Sequence, residues 1–316
     1  MNNLSDQSKG LLCAAGTALC WGFLAIILKN ALLFADSETI VAFRMIFAFC
    51  FLFVFFFFKN KNAFLLIKKP PPLLLLGCLG LAFNYLGFMK GVAYSGASNA
   101  QIMIQIGPII LMLSGFLIYK ESIKFLQLVF IGVAFLGFIF FFKDQSTLSL
   151  NEDLILANLW IVGAALTWVG YSLVIKRFTA LGYTSNELNL LVFFVCSILL
   201  STRMSFASLS GFGLYEWFLL IILGLNTLVA YGLFGAALKL APASQVSIII
   251  TLNPILTLAI IAFAGPYFMF IPKEPVSPTG YFGATLVIFG VISSTLVAAS
   301  AKKKAARTQI TSKTKI

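Results

Sequence analysis

The sequence predicts an all-α integral membrane protein: ten transmembrane helices forming two inverted five-helix repeats, N-in/C-in. Three observations predict it. The 316 residues are 60% hydrophobic and only 10% charged, with mean hydropathy +1.02, whereas a soluble domain needs about a quarter charged residues to cover its surface. Apolar runs of the roughly 20 residues that cross a bilayer recur along the whole chain. And one stretch occurs twice: the pattern from Tyr85 to Pro108 returns from Tyr231 to Pro254, with Pro standing 23 positions after Tyr each time.

Taken in order, the candidate spans are 11–29, 37–58, 73–92, 97–118, 124–142, 157–176, 187–203, 215–239, 243–265 and 279–299. Residues 1–9 form a cytoplasmic leader, 10–145 the first repeat, 155–299 the second, and 300–316 a basic cytoplasmic tail. The first span follows Lys9 as a signal peptide would. However, its Trp21–Lys29 spacing returns as Trp168–Lys176, so it belongs to the fold. The offset between halves is 147 at Trp21/Trp168, 146 through the Tyr–Pro stretch, and 153 at Glu121/Glu274 and Gly137/Gly290. The second half thus carries about seven extra residues around Gly265-Pro266-Tyr267. Five spans is an odd number, so the second repeat enters the membrane from the opposite face. With the N-terminus inside, sixteen Lys and Arg fall in cytoplasmic loops and the tail against five outside, as the positive-inside rule requires.

The repeated stretch is the expected centre. It reads as two apolar segments meeting at Ser95-Gly96-Ala97-Ser98, the second bearing Asn99, Gln101 and Gln105. Their counterparts are Gln245, Ser247 and Thr251. Lipid tails cannot hydrogen-bond such groups, so this face turns toward protein or water. Gln101 and Gln105 are four apart and share one helix face, as do Ser247 and Thr251. The set reads as the lining of a cavity between the repeats, and each residue singly also suits hydrogen bonding between helices. Trp21, Tyr85, Trp168, Tyr171 and Tyr231 are aromatics inside spans, able to stack on a planar group. Arg44 lies within a span, where a charge is costly and functional by default, although pairing with Asp36 or Glu38 or snorkelling would also accommodate it. With Lys29 and Lys90 it would attract carboxylate-bearing solutes. Pro108 and Pro254, preceded by Gly107 and Asn253, are the expected hinges, since proline removes a helical hydrogen bond.

Composition also excludes chemistry. There is no histidine, and the five cysteines form no CxxC pair, so no metal site is expected. No catalytic residues, glycine-rich phosphate loop or cofactor site are apparent. The net charge of +12 sits in short loops and the tail, which points to the lipid bilayer rather than nucleic acid as partner. All ten carboxylates fall in loops, termini or span ends.

Several motifs carry a family resemblance: Leu19-Cys20-Trp21-Gly22, Ala42-Phe43-Arg44, Gly91 to Ala100 leading to Pro108, Tyr119-Lys120-Glu121-Ser122, and Ala237 to Ser244 with Pro254. Over residues 10–299 the chain resembles the EamA-domain members of the drug/metabolite transporter superfamily. The resemblance implies a secondary transporter in a bacterial inner membrane, multi-pass, monomer or homodimer, moving a small polar metabolite of amino-acid or nucleoside type by alternating access. The alternatives it leaves are an S-adenosylmethionine-type uptake carrier and a multidrug or metabolite efflux pump. A non-transporting membrane scaffold lies outside the class, and no enzyme activity is expected. The second-half motif Ile271-Pro272-Lys273-Glu274 departs from the pattern by following an interrupted apolar run.

Overall fold

A computed structural model describes residues 5–119, 124–148, 152–241, 243–265, 267, 271 and 276–313. Lys120, Glu121, Lys273 and Glu274 lie outside the described residues.

Among these residues the chain is helical throughout. The first half contains α1 (Asp6–Ala31), α2 (Ser37–Lys59), a 3-10 turn (Lys61–Phe64), the short α3 (Leu65–Lys68), α4 (Pro72–Met103), α5 (Ile106–Tyr119) and α6 (Phe125–Leu148). The second contains α7 (Glu152–Ala180), α8 (Ser185–Ser201), the short α9 (Phe206–Leu209), α10 (Leu214–Leu240), α11 (Ala243–Ile250), α12 (Asn253–Ala264) and α13 (Pro278–Lys313). Five helical stretches are long and apolar enough to cross a bilayer: α1, α2, Pro72–Leu111, α7 and α10. Phe125–Phe141, α8, α12 and Pro278–Ser294 are shorter and apolar.

Local chemistry sets the ends. Asp36 opens α2 by accepting the Thr39 N–H at 2.7 Å, satisfying one of the free amides of the first turn. Thr184 and Glu187 open α8 with a reciprocal capping box. Pro72 starts α4, where its missing N–H costs nothing.

Two expected spans are interrupted. The run 97–118 breaks at Ile104 and Gln105, and 243–265 breaks at Thr251 and Leu252. In both cases a proline ring meets the carbonyl four residues back, at Ile104 and Ile250, and ends the preceding helix. Pro108 and Pro254 then sit in the first turns of α5 and α12 rather than in mid-helix. A third break lies inside α4. Gly96 has φ 86° and ψ 171°, a conformation open essentially only to glycine, so Tyr85 and Gln101 stand on separately directed segments.

Packing exchanges partners between the halves. α1 packs against α10 and α4 against α7, while α2 meets α8 and α6 meets α13. Under the sequence offsets α1 corresponds to α7 and α4 to α10, so the first two contacts are one contact seen twice. Their hydrogen bonds match too. Thr17 Oγ1 donates to the Ala230 carbonyl at 3.4 Å, and Asn84 Nδ2 to the Ala164 carbonyl at 2.9 Å; 17 aligns with 164 and 84 with 230.

Lipid gives helices little hydrophobic reason to associate, so close contact depends on small residues. The α6–α13 pair shows this. A Cβ on Gly137 would stand 2.5 Å from the Val287 nitrogen, and one on Gly283 2.6 Å from the Phe141 nitrogen. Gly137→Leu should therefore lower stability by about 1–3 kcal/mol or more, the usual scale of overpacking. Thermal unfolding of the detergent-solubilised variant checks this; an unchanged midpoint would mean that the two helices are not in backbone contact.

Candidate functional site

The two breaks that precede the prolines converge on a cavity of about 90 Å³ between the halves. Aromatic rings form much of its wall: Trp21 from α1, Tyr85 and Phe88 from α4, Trp168 from α7 and Tyr231 from α10. Aligned residues of the two halves meet here. Trp21 lies edge-on to Trp168 with centroids 6.2 Å apart, and Tyr85 lies 5.5 Å from Tyr231. Leu24, Ile104, Pro108 and Ile250 complete the apolar wall.

The polar wall is mostly amide. Gln101 Nε2 donates to the Trp21 carbonyl at 2.9 Å. Gln105, at the break before α5, donates from Nε2 to Asn253 Oδ1 at 3.1 Å and to the Gln101 carbonyl at 3.3 Å. Asn253 opens α12, so this bond joins the two interruptions across the cavity. The Gln101 carbonyl can only accept, which assigns the facing end of the Gln105 amide as nitrogen, and Oε1 is left buried without a protein partner. The Tyr85 hydroxyl is likewise buried, close to Arg44, Thr227 and Tyr231 but without a well-formed hydrogen bond.

Three consecutive α1 carbonyls hold the neighbouring elements. Cys20 accepts from Asn226 Nδ2 at 2.8 Å, Trp21 from Gln101, and Gly22 from Thr257 Oγ1 at 2.6 Å. Gly22 admits α12 because a Cβ there would stand 2.9 Å from that of Leu256. The centre of α1 is thereby tied to α10, α4 and α12.

Arg44 reaches this cavity from α2 and is 2% exposed. Its Nε donates to Thr227 Oγ1 at 2.9 Å, and its guanidinium lies 4.7 Å from the Tyr85 ring centroid. Neither expected acidic partner serves it. Glu38 binds Lys90 at 2.7 Å, and Asp36 is occupied with Thr39.

Trp21, Arg44, Tyr85, Gln101, Gln105, Pro108, Trp168 and Tyr231 thus share one cavity. Other predicted residues lie beside it. Asn99 donates to Ser95 Oγ at 2.8 Å and to Asn158 Oδ1 at 2.9 Å, which ties α4 to α7. Tyr171 bonds Asn189 at 3.2 Å and packs its ring 5.8 Å from Tyr231, behind the wall. Ser247 and Thr251 are buried on and just after α11, and Pro254 is buried in α12. The side chain of Gln245 lies outside the described residues. Sequence reasoning missed Asn84 and Thr227, and read Asn253 only as support for the bend at Pro254. Each carried a legible signal: Asn84 is an amide in an apolar run, Asn253 precedes a repeated proline, and Thr227 lies one turn before Tyr231 on the same face. Among the described residues, no group of three or more His, Cys, Asp or Glu side chains could hold a metal ion.

The family model described as the EamA-like transporter family matches the chain twice, over residues 8–143 and 155–296. The chain belongs to that family. EamA-like relatives include an uncharacterized transporter of Haemophilus influenzae, 30% identical over 297 residues that cover 91% of this chain and 94% of the relative. The uncharacterized inner membrane transporter YhbE of Escherichia coli K12 is 30% identical over 295 residues, 91% of each protein. A solved crystal structure aligns with TM-score 0.67 and 14% identity over 92% of this chain and 99% of its own, a likeness of fold alone. With its family, these relatives and its apolar crossing helices, this EamA-like protein is a multi-pass transporter of the inner membrane.

Proposed function

We propose that the chain is a secondary carrier of ten transmembrane helices in two inverted five-helix repeats, N-in/C-in, that moves a small polar metabolite of amino-acid or nucleoside type by alternating access. One observation carries this reading: the cavity lies between halves that exchange partners, at interrupted helices lined by amides and aromatic rings. Interrupted helices at a repeat interface free backbone and side-chain groups for a solute. The helix count is supported by Pro72–Leu111, whose 40 residues would extend about 60 Å, twice the hydrocarbon thickness, and which contains the Gly96 break. The solute passes unchanged, and no cofactor enters the reading.

Coupling follows from the acids. Asp36, Glu187 and Glu216 accept hydrogen bonds in the first turns of helices, and Glu38 is ion-paired with Lys90. None of these four lines the cavity. A proton-driven carrier usually holds a titratable acid at mid-depth, so we expect exchange or facilitated diffusion. Purified protein in liposomes should show counterflow of its solute that is unchanged by an imposed pH gradient. Uphill accumulation driven by that gradient alone would refute the exchange reading, and absence of flux for any amino acid, nucleoside or adenosyl compound would refute the carrier.

A further inference from the structure

Resting on that carrier reading, we infer that Arg44 is a specificity residue: the solute carries a carboxylate that binds its guanidinium, and the site rejects solutes of net positive charge. The cavity holds a full positive charge whose hydrogen-bond partner is neutral, the Thr227 hydroxyl. Among the described residues it has no acidic partner. Tyr85, also neutral, offers its ring at cation–π distance and its hydroxyl nearby, and neither carries a countercharge. An isolated buried charge is costly, and one left without a partner is costlier than a pair. The arrangement is incomplete in a way that an anion completes. The planar guanidinium has further N–H donors beyond Nε, in a geometry that matches a carboxylate.

Two unsatisfied atoms describe the rest of the solute. Gln105 is 2% exposed and lines the cavity, and its Oε1, which can only accept, is buried without a protein partner. It calls for an N–H or O–H donor on the solute. The Tyr85 hydroxyl, 5% exposed by residue, can donate or accept beside Arg44. The aromatic wall then receives an apolar or planar body. An α-amino or α-hydroxy acid has a carboxylate and an adjacent donor. A neutral nucleoside lacks the anion, and a cationic drug or a net-cationic adenosyl compound would add like charge to an already uncompensated cation. Of the solute types the family reading leaves open, the site selects acids.

The test uses purified full-length protein and matched probes. Each set comprises an amino acid, its neutral N-acetyl amide and its decarboxylated amine, for aromatic, aliphatic and polar side chains. α-Hydroxy acids, uridine, S-adenosylmethionine and sodium chloride complete the panel. Thermal unfolding is read for the wild type, Arg44→Gln and Arg44→Lys, since a ligand selective for the folded state raises the midpoint. Acids should stabilise the wild type, while amides, amines, uridine and S-adenosylmethionine should not. Apparent affinity should fall roughly hundredfold in Arg44→Gln, the scale of removing one partner of a buried charge pair, and less in Arg44→Lys.

The ligand-free midpoint separates recognition from architecture. Without its unpaired charge, Arg44→Gln should unfold at an equal or higher temperature than the wild type, whereas an arginine kept for structure would lower it. Several outcomes would overturn the inference: no acid stabilises, amines or amides protect as well as acids, chloride alone reproduces the effect, or Arg44→Gln keeps wild-type affinity. If Arg44→Gln does not fold, the wild-type probe series and Arg44→Lys still decide. Flux in liposomes keeps the two readings apart. Binding of acids without flux defeats the carrier and leaves the anion site, and flux of neutral or cationic solutes in place of acids does the reverse.

Discussion

Tyr231→Ala should destabilise the protein by about 3–5 kcal/mol, the range for emptying a buried aromatic site, while Tyr231→Phe should come within about 1 kcal/mol of the wild type. Tyr231 is 5% exposed, and its ring stands at the centre of the aromatic cluster. It lies 5.6 Å from Trp21, 5.5 Å from Tyr85, 5.8 Å from Tyr171 and 6.4 Å from Phe234. These rings come from α1, α4, α7 and α10, so alanine would remove the contact that four helices share. Phenylalanine keeps the ring and removes only the hydroxyl. Thermal unfolding of the two variants in detergent separates packing from polarity. A Tyr231→Ala protein as stable as the wild type would show that the rings line an open space and bear no load.

Gln105→Leu is expected to act on transport. The substitution deletes the 3.1 Å bond to Asn253 and leaves that buried amide oxygen without its donor. It also removes the buried, unpartnered Oε1 of a residue that lines the cavity. The orphaned Asn253 oxygen should cost about 1–3 kcal/mol of stability. Loss of the Gln105 amide from the site should lower transport by roughly ten- to a hundredfold, the scale of one lost neutral or charge-assisted hydrogen bond to the solute. The volumes of glutamine and leucine are close, so no cavity opens and the unfolding midpoint should move less than in Tyr231→Ala. Uptake in liposomes measured beside thermal unfolding checks both. Wild-type flux in Gln105→Leu would reduce the Gln105–Asn253 bond to a structural tie.

The legible part of this protein was what period and repetition could encode. Apolar runs marked the helices because hydrocarbon admits little else, and the doubled Tyr–Pro spacing marked the centre because an intramembrane amide must face protein or water. Trp21, Tyr85, Gln101, Gln105, Trp168 and Tyr231 therefore could be found from a single chain. The limits were set by interactions with no sequence period. Whether Asn99 faces the cavity or α7 depends on Asn158, 59 residues away. Arg44 could be read as paired or free until Glu38 was seen to bind Lys90 and Thr227 to bind Arg44. The interruptions at 104–105 and 251–252 were signalled by the prolines, but an apolar run hides a break because both sides remain apolar. Thr227 and Asn84 carried the same signal as the residues that were found, and were missed because neither has a polar counterpart at the aligned position: Leu81 and Ala230 stand there.

The exchange of partners between halves has a consequence for biosynthesis. Arg44 and Asn84 belong to the first half, yet the hydroxyl of Thr227 and the carbonyl of Ala164 that receive them belong to the second. A ribosome adding 5–20 residues each second needs on the order of ten to thirty seconds to make the second half. Throughout that interval the newly inserted first half holds a guanidinium and an amide in the bilayer with their acceptors not yet synthesised. The nascent chain must shelter them, by remaining beside the insertion machinery or by drawing water and headgroups inward, until α7 and α10 arrive.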